Sequence, residues 1–190
     1  MKKLIPLLLL AIQINVLQAQ QLPAHLDGKM TYPVFDFNPW VGVIKTKAKA
    51  LKYDRDLEYK VVIDVTDAVK DSTRIMRPLL EAARTYNLNI ANGVPKRKME
   101  MAVVVHAGAV NALLSEEAYQ QKYGVPNPNI AAIRALKKEG VDIYVCAQIL
   151  SVYKIPEDDI FKSVDIAISA RTALITLDQK GYSYINVNRD

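Results

Sequence analysis

Between Tyr59 and Val187 the chain alternates short apolar runs with longer stretches in which apolar residues recur at helical spacing, and this rhythm narrows the possible folds more than any other feature. The apolar runs cover residues 59–65, 100–106, 141–146, 164–168 and 182–187. The central runs are apolar without alternation, as expected of strands covered on both faces. Between the first two, Ile75, Met76, Leu79, Leu80, Ala83 and Tyr86 mark a helix over residues 72–86, with Pro78 predicting a kink or a late start. A short helix around residues 110–114 follows the second run, and Ser115 is a candidate cap for the turn opened by Glu116 and Glu117. Asn127, Pro128 and Asn129 introduce a helix to about residue 139, which Gly140 ends. A last helix runs from Ser169 or Ala170 to Lys180 and stops at Gly181. Strands alternating with helices predict an α/β fold: a three-layer α/β/α sandwich with a mostly parallel central sheet.

Two segments lie outside this rhythm. Lys2 and Lys3 precede an apolar run over residues 4–17, and polar Gln18, Gln20 and Gln21 follow. That order reads as a secretory signal peptide over residues 1–20, since the run is shorter than the roughly 20 apolar residues of a membrane span. The expected location is the periplasm or the exterior, with no stable membrane insertion after cleavage. Residues 21–58 are punctuated by Pro23, Pro33 and Pro39 and carry Tyr32, Phe35, Phe37 and Trp40, aromatics that need a surface to cover. They read as an N-terminal extension, a strap over the main domain or a neighbouring subunit, and residues 59–190 as the α/β domain.

One cysteine allows no internal disulfide, and two histidines leave little material for a metal site, so neither a metal nor a cofactor is expected. The 25 Lys and Arg against 20 Asp and Glu include the two leader lysines, so the remaining surface is nearly balanced. The basic clusters Lys45, Lys47, Lys49 and Lys52, and Lys96, Arg97 and Lys98, are not interleaved with aromatics, so no nucleic-acid partner is expected.

In open parallel sheets, ligands gather at the carboxyl ends of the strands, where helix N-termini converge. The residues at those ends are Asp64 and Asp67, then His106, Gly108 and Asn111, then Cys146 and Gln148, and last Ser169 and Arg171. Two readings of Cys146 stand. If the segment after it is helical, its N–H groups favour a thiolate able to carry sulfane sulfur as a persulfide; alternatively the thiol is a packed core residue. Exchange chemistry requires at least partial access to the sulfur. His106 is either a base or a strand-end structural group, and Asp64, Asp67 and Asn111 suit helix or turn caps as well as catalysis. Gly108 permits close backbone approach, yet the sequence around it is no phosphate-binding loop. Arg171 near a helix start is either an anion holder or a salt-bridge former.

The ordered stretches YKVVIDV at residues 59–65, MAVVVHAGA at 101–109, GVDIYVC at 140–146 and LDQKGYSYI at 177–185 resemble the DsrE/DsrF-like family, especially its exported single-domain members. The resemblance covers about residues 59–187. It implies homotrimers or hexamers, and in the cytoplasmic sulfur-relay members a persulfide-bearing cysteine at the position of Cys146. The chain departs from those members in its leader and in lacking their Arg-Gly ending after the cysteine. The resulting expectation is a sulfur carrier or sulfurtransferase with Cys146 and His106 catalytic, and with Asn111, Gly108, Gln148, Ser169 and Arg171 binding a sulfur donor or acceptor. The alternative is a non-enzymatic secreted ligand-binding or protein-interaction module.

Overall fold

The structure, a computed structural model, describes residues 22–48 and 50–188, so the signal peptide read over residues 1–20 lies outside the described residues. A two-stranded antiparallel ribbon, β1 (Met30–Thr31) with β2 (Val43–Ile44), precedes the main sheet. That sheet contains β3 (Tyr59–Val65), β4 (Met99–Val105), β5 (Asp142–Cys146), β6 (Asp165–Ala167) and β7 (Ser183–Asn186) in the order β6-β5-β4-β3-β7, and every pairing is parallel. The helices are α1 (Arg77–Ala91), α2 (Glu116–Tyr123), α3 (Asn129–Lys138), α4 (Ala147–Tyr153) and α5 (Ala170–Gln179). The expected three-layer α/β/α architecture is therefore present.

Connection handedness explains which helix lies on which face. From β3 through α1 to β4, and through α3 to β5, the chain steps across the sheet in one direction. From β6 through α5 to β7 it returns the other way, so right-handed crossovers put α5 on the opposite face. Strand alternation then divides the core in two. Val61, Ile63, Val65, Val103, Val105, Ile143 and Val145 pack with Leu79 and Ala83 of α1 and with Ile133 and Leu136 of α3. Val62, Ala102, Val104 and Cys146 pack with Ala170 and Leu177 of α5.

The helix expected over residues 72–86 begins instead at Arg77 and continues to Ala91. Pro78 explains the late start: in the first turn its missing N–H leaves no bond unmade, whereas deeper in a helix it would break one. Upstream, the Met76 N–H donates to Asn129 Oδ1 at 2.8 Å, fixing where the helix starts. Its far end exceeds the apolar pattern because Asn87 is fully buried and serves the N-terminal extension. The Asn87 carbonyl accepts from the N–H groups of Val34 and Phe35, while its amide donates to the carbonyls of Phe35 and Val41. Phe35 stacks edge-on against Tyr86 with ring centroids 5.3 Å apart. Residues 34–41 thus lie along α1 and share its core.

Candidate functional site

The carboxyl ends of β3, β4 and β5 and the start of α5 enclose a cleft of about 470 Å³. It brings together Cys146, His106, Gln148, Ser169 and Arg171, all singled out from sequence, with Asp64 and the apolar Ile149 and Leu174. Gly108 and Asn111 do not line it. Gly108 packs against Ala68, whose Cβ would lie 2.7 Å from a Cβ at that glycine, so its small size serves packing. The Asn111 amide closes the adjoining turn by donating to the Gly108 carbonyl at 3.1 Å.

Cys146 ends β5 and stands immediately before α4, so the segment after it is helical as the thiolate reading requires. Its side chain makes no capping hydrogen bond to the first turn. The residue is only 4% exposed and packs with Val104 and Ala170. The pleat that aims Cys146 at α5 also buries it, and it borders open space along the cleft wall.

His106 is extended, and its N–H donates to the Val65 carbonyl at 3.0 Å, which prolongs the β3–β4 ladder by one residue. The next residue, Ala107, turns sharply at φ +50°, a left-handed conformation unusual for a side-chain-bearing residue, and starts the 3-10 helix Ala107–Leu113. The His106 ring leans toward β3, where its Nε2 lies 2.9 Å from Asp64 Oδ1. Tyr184 Oη of β7 donates to the other Asp64 oxygen at 2.7 Å. Asn188, just beyond β7, joins the same place, donating to the Asp64 carbonyl at 3.0 Å and accepting from the Thr66 N–H at 2.7 Å.

Burial alone would push the Asp64 carboxyl up. Hydrogen bonds from His106 and Tyr184, electrostatic attraction to His106 and the Val65 N–H outweigh it and hold the carboxyl below the usual range. Donation to that carboxylate, with burial and its negative charge, pushes the Tyr184 hydroxyl up to about 12. Asp64 is therefore an ionised, buried acceptor rather than a cap. Tyr184 lay in the last expected strand but was not among the site residues singled out from sequence.

The remaining polar groups shape the cleft. Ser169 Oγ caps α5 by accepting the Thr172 N–H at 3.0 Å, so this oxygen is already engaged in structure. The Gln148 amide donates to the Ile168 carbonyl at 3.2 Å and ties α4 to the entry of α5. Arg171, exposed in the first turn of α5, supplies positive charge beside that helix's N-terminus. Among the described residues no group of three or more His, Cys, Asp or Glu side chains is arranged to hold a metal ion.

This arrangement of a parallel sheet, α5 on its own face and a strand-end cysteine coincides with a family match. The sequence profile of the DsrE/DsrF-like family matches residues 60–187. The chain belongs to the DsrE/DsrF-like family. That family is associated with sulfur relay. The matched region includes every residue lining the cleft and leaves out the extension that α1 carries. Among solved structures, the chain is similar to a protein of unknown function, MTH1491, from Methanobacterium thermoautotrophicum. The identity is 22% and the TM-score 0.49, over 68% of this chain and 99% of that one. It is also similar to the ychN protein from E. coli, with 16% identity and a TM-score of 0.45, over 67% of this chain and 98% of that one. No curated protein sequence matches the chain.

Proposed function

We propose that the protein is a thiol-centred sulfur carrier or sulfurtransferase that holds a persulfide on Cys146. The observation that carries this reading is the placement of Cys146, in a family associated with sulfur relay, on the wall of a cleft it shares with His106 and Arg171. In the loading step the Cys146 thiolate attacks a sulfane sulfur of a polysulfide. A new S–S bond forms on Sγ, the donor's S–S bond breaks, and the shortened polysulfide leaves with the electron pair. In the delivery step an acceptor thiolate attacks the outer sulfur, and Cys146 leaves as thiolate. Arg171 offsets the negative charge of donor and product. We also propose that the chain acts outside the cytoplasm after loss of residues 1–20, and that it assembles as a trimer or a hexamer.

A second reading, a non-enzymatic ligand-binding or interaction module, is favoured by one observation, the 4% exposure of Cys146. Native protein treated with polysulfide and weighed intact distinguishes the two. The carrier reading expects additions of sulfur to wild type, none on Cys146→Ser, and handover to an acceptor thiol faster than small-molecule exchange. An unmodified native Cys146, under conditions that label the unfolded chain, would leave the binding module standing.

A further inference from the structure

We infer that Asp64 is a positioning residue for this chemistry: by accepting the Nε2–H of His106 it fixes the neutral ring as the tautomer whose Nδ1 takes the proton from Cys146. The inference rests on the sulfur-carrier reading and extends it to two residues, Asp64 and Tyr184, outside the thiol and its base. Asp64 is a buried acid in an otherwise apolar stretch of β3, a position where an unpaired carboxylate would be strongly disfavoured. Both its oxygens are engaged, one by His106 at 2.9 Å and the other by Tyr184 at 2.7 Å. An ionised carboxylate only accepts hydrogen bonds, so the imidazole must present an N–H at Nε2. A neutral imidazole has a single N–H, which leaves the lone pair on Nδ1.

Strand register sets His106 beside Cys146 on the neighbouring strand. β4 and β5 pair Val104 with Tyr144 and Val105 with Val145. Continuing by one residue sets His106 level with Cys146 on strands about 4.8 Å apart. Both residues line the cleft, with Arg171 of α5 also on its wall. The proton passes from Sγ to Nδ1, giving a thiolate and an imidazolium, and Asp64 stabilises the imidazolium through the contact it already makes.

Two measurements on the mature protein test this. The imidazole nitrogen spectrum reads the tautomer directly, and with only two histidines in the chain the His106 signals are identified by their loss in His106→Gln. Wild type is expected to show the Nε2–H form; the Nδ1–H form would overturn the inference even if no variant at position 64 folds. The second measurement is the rate of Cys146 with iodoacetamide at neutral pH, where the Sγ–C bond forms as the C–I bond breaks and iodide leaves with the electron pair. Asp64→Asn and His106→Gln are each expected to slow it about tenfold, and the double variant to be no slower than either, because the two residues act in one step. A merely structural Asp64 would not move the tautomer and would give additive losses. Independent losses, or a folded Asp64→Asn reacting at the wild-type rate, defeat this inference alone, whereas a native Cys146 inert to iodoacetamide defeats the sulfur-carrier reading with it.

Discussion

At the scale of single residues, the Asp64 carboxyl gives a pH signature independent of any catalysis. Its titration lies below the ordinary range in the folded chain, so the unfolded chain binds the proton more readily. The stabilisation it supplies is fully present above the unfolded value of about 3.9 and is lost as the pH falls through that value toward the folded one. Urea unfolding should therefore show the gap in stability between wild type and Asp64→Asn widest near pH 5 and narrowing by pH 3. A gap that stays constant over this interval would mean that the carboxyl is not held down by its partners. The residues of this network also mark where sequence reading ran out. Cys146, His106 and Arg171 were legible because each ends a strand or opens a helix, and the fold gathers such positions. Tyr184 was not, since it reaches Asp64 across 120 residues of chain through a strand pairing that no local pattern encodes. Gly108 and Asn111 sit at the same strand end but turn inward into the 3-10 segment, a choice set by the left-handed Ala107.

At the scale of elements, local signals were most readable where one physical cause acted alone. β3 spans the same residues as its apolar run, and Ser115 caps α2 by accepting the Ala118 N–H. α1 was misjudged at both ends because tertiary contacts decide them: Asn129 holds its start, and Asn87 continues it by turning a polar side chain toward the extension. That asparagine yields the next prediction. Asn87→Ala would strand four backbone groups of residues 34–41 at a buried interface, each worth about 1 kcal/mol or more when unsatisfied. With partial relaxation the expected loss is about 3 kcal/mol in chemical unfolding. Amide exchange at residues 34–44 should accelerate far more than in β3, β4 and β5, whose ladders do not depend on this contact. Exchange that rises equally across the sheet would show that the extension and the sheet open as one unit.

For the whole molecule, the two sheet faces are covered unequally, and this bears on assembly. α1 and α3 cover one face and share it with the extension, whereas α5 alone packs on the other. On and around the thinly covered side, Ile168 is 71% exposed, Ile175 57% and Tyr184 53%, and a groove of about 360 Å³ runs between α5 and the Tyr144–Ile168 side of the sheet. A second copy covering this side would bury these isoleucines at a gain of about 25 cal/mol per Å² of apolar surface, and the proposed trimer is a closed arrangement in which every copy does so once. Light scattering of the chain without residues 1–20 at micromolar concentration should then give three times the chain mass, or six times if two trimers stack. Ile168→Glu is the sharper arm: it places a charge in the middle of that contact while leaving the folded chain's own core untouched, so the mass should fall to that of one chain with an unchanged circular dichroism spectrum. A monomeric wild type would sink the assembly itself. A trimer indifferent to glutamate at position 168 would move the contact to another surface.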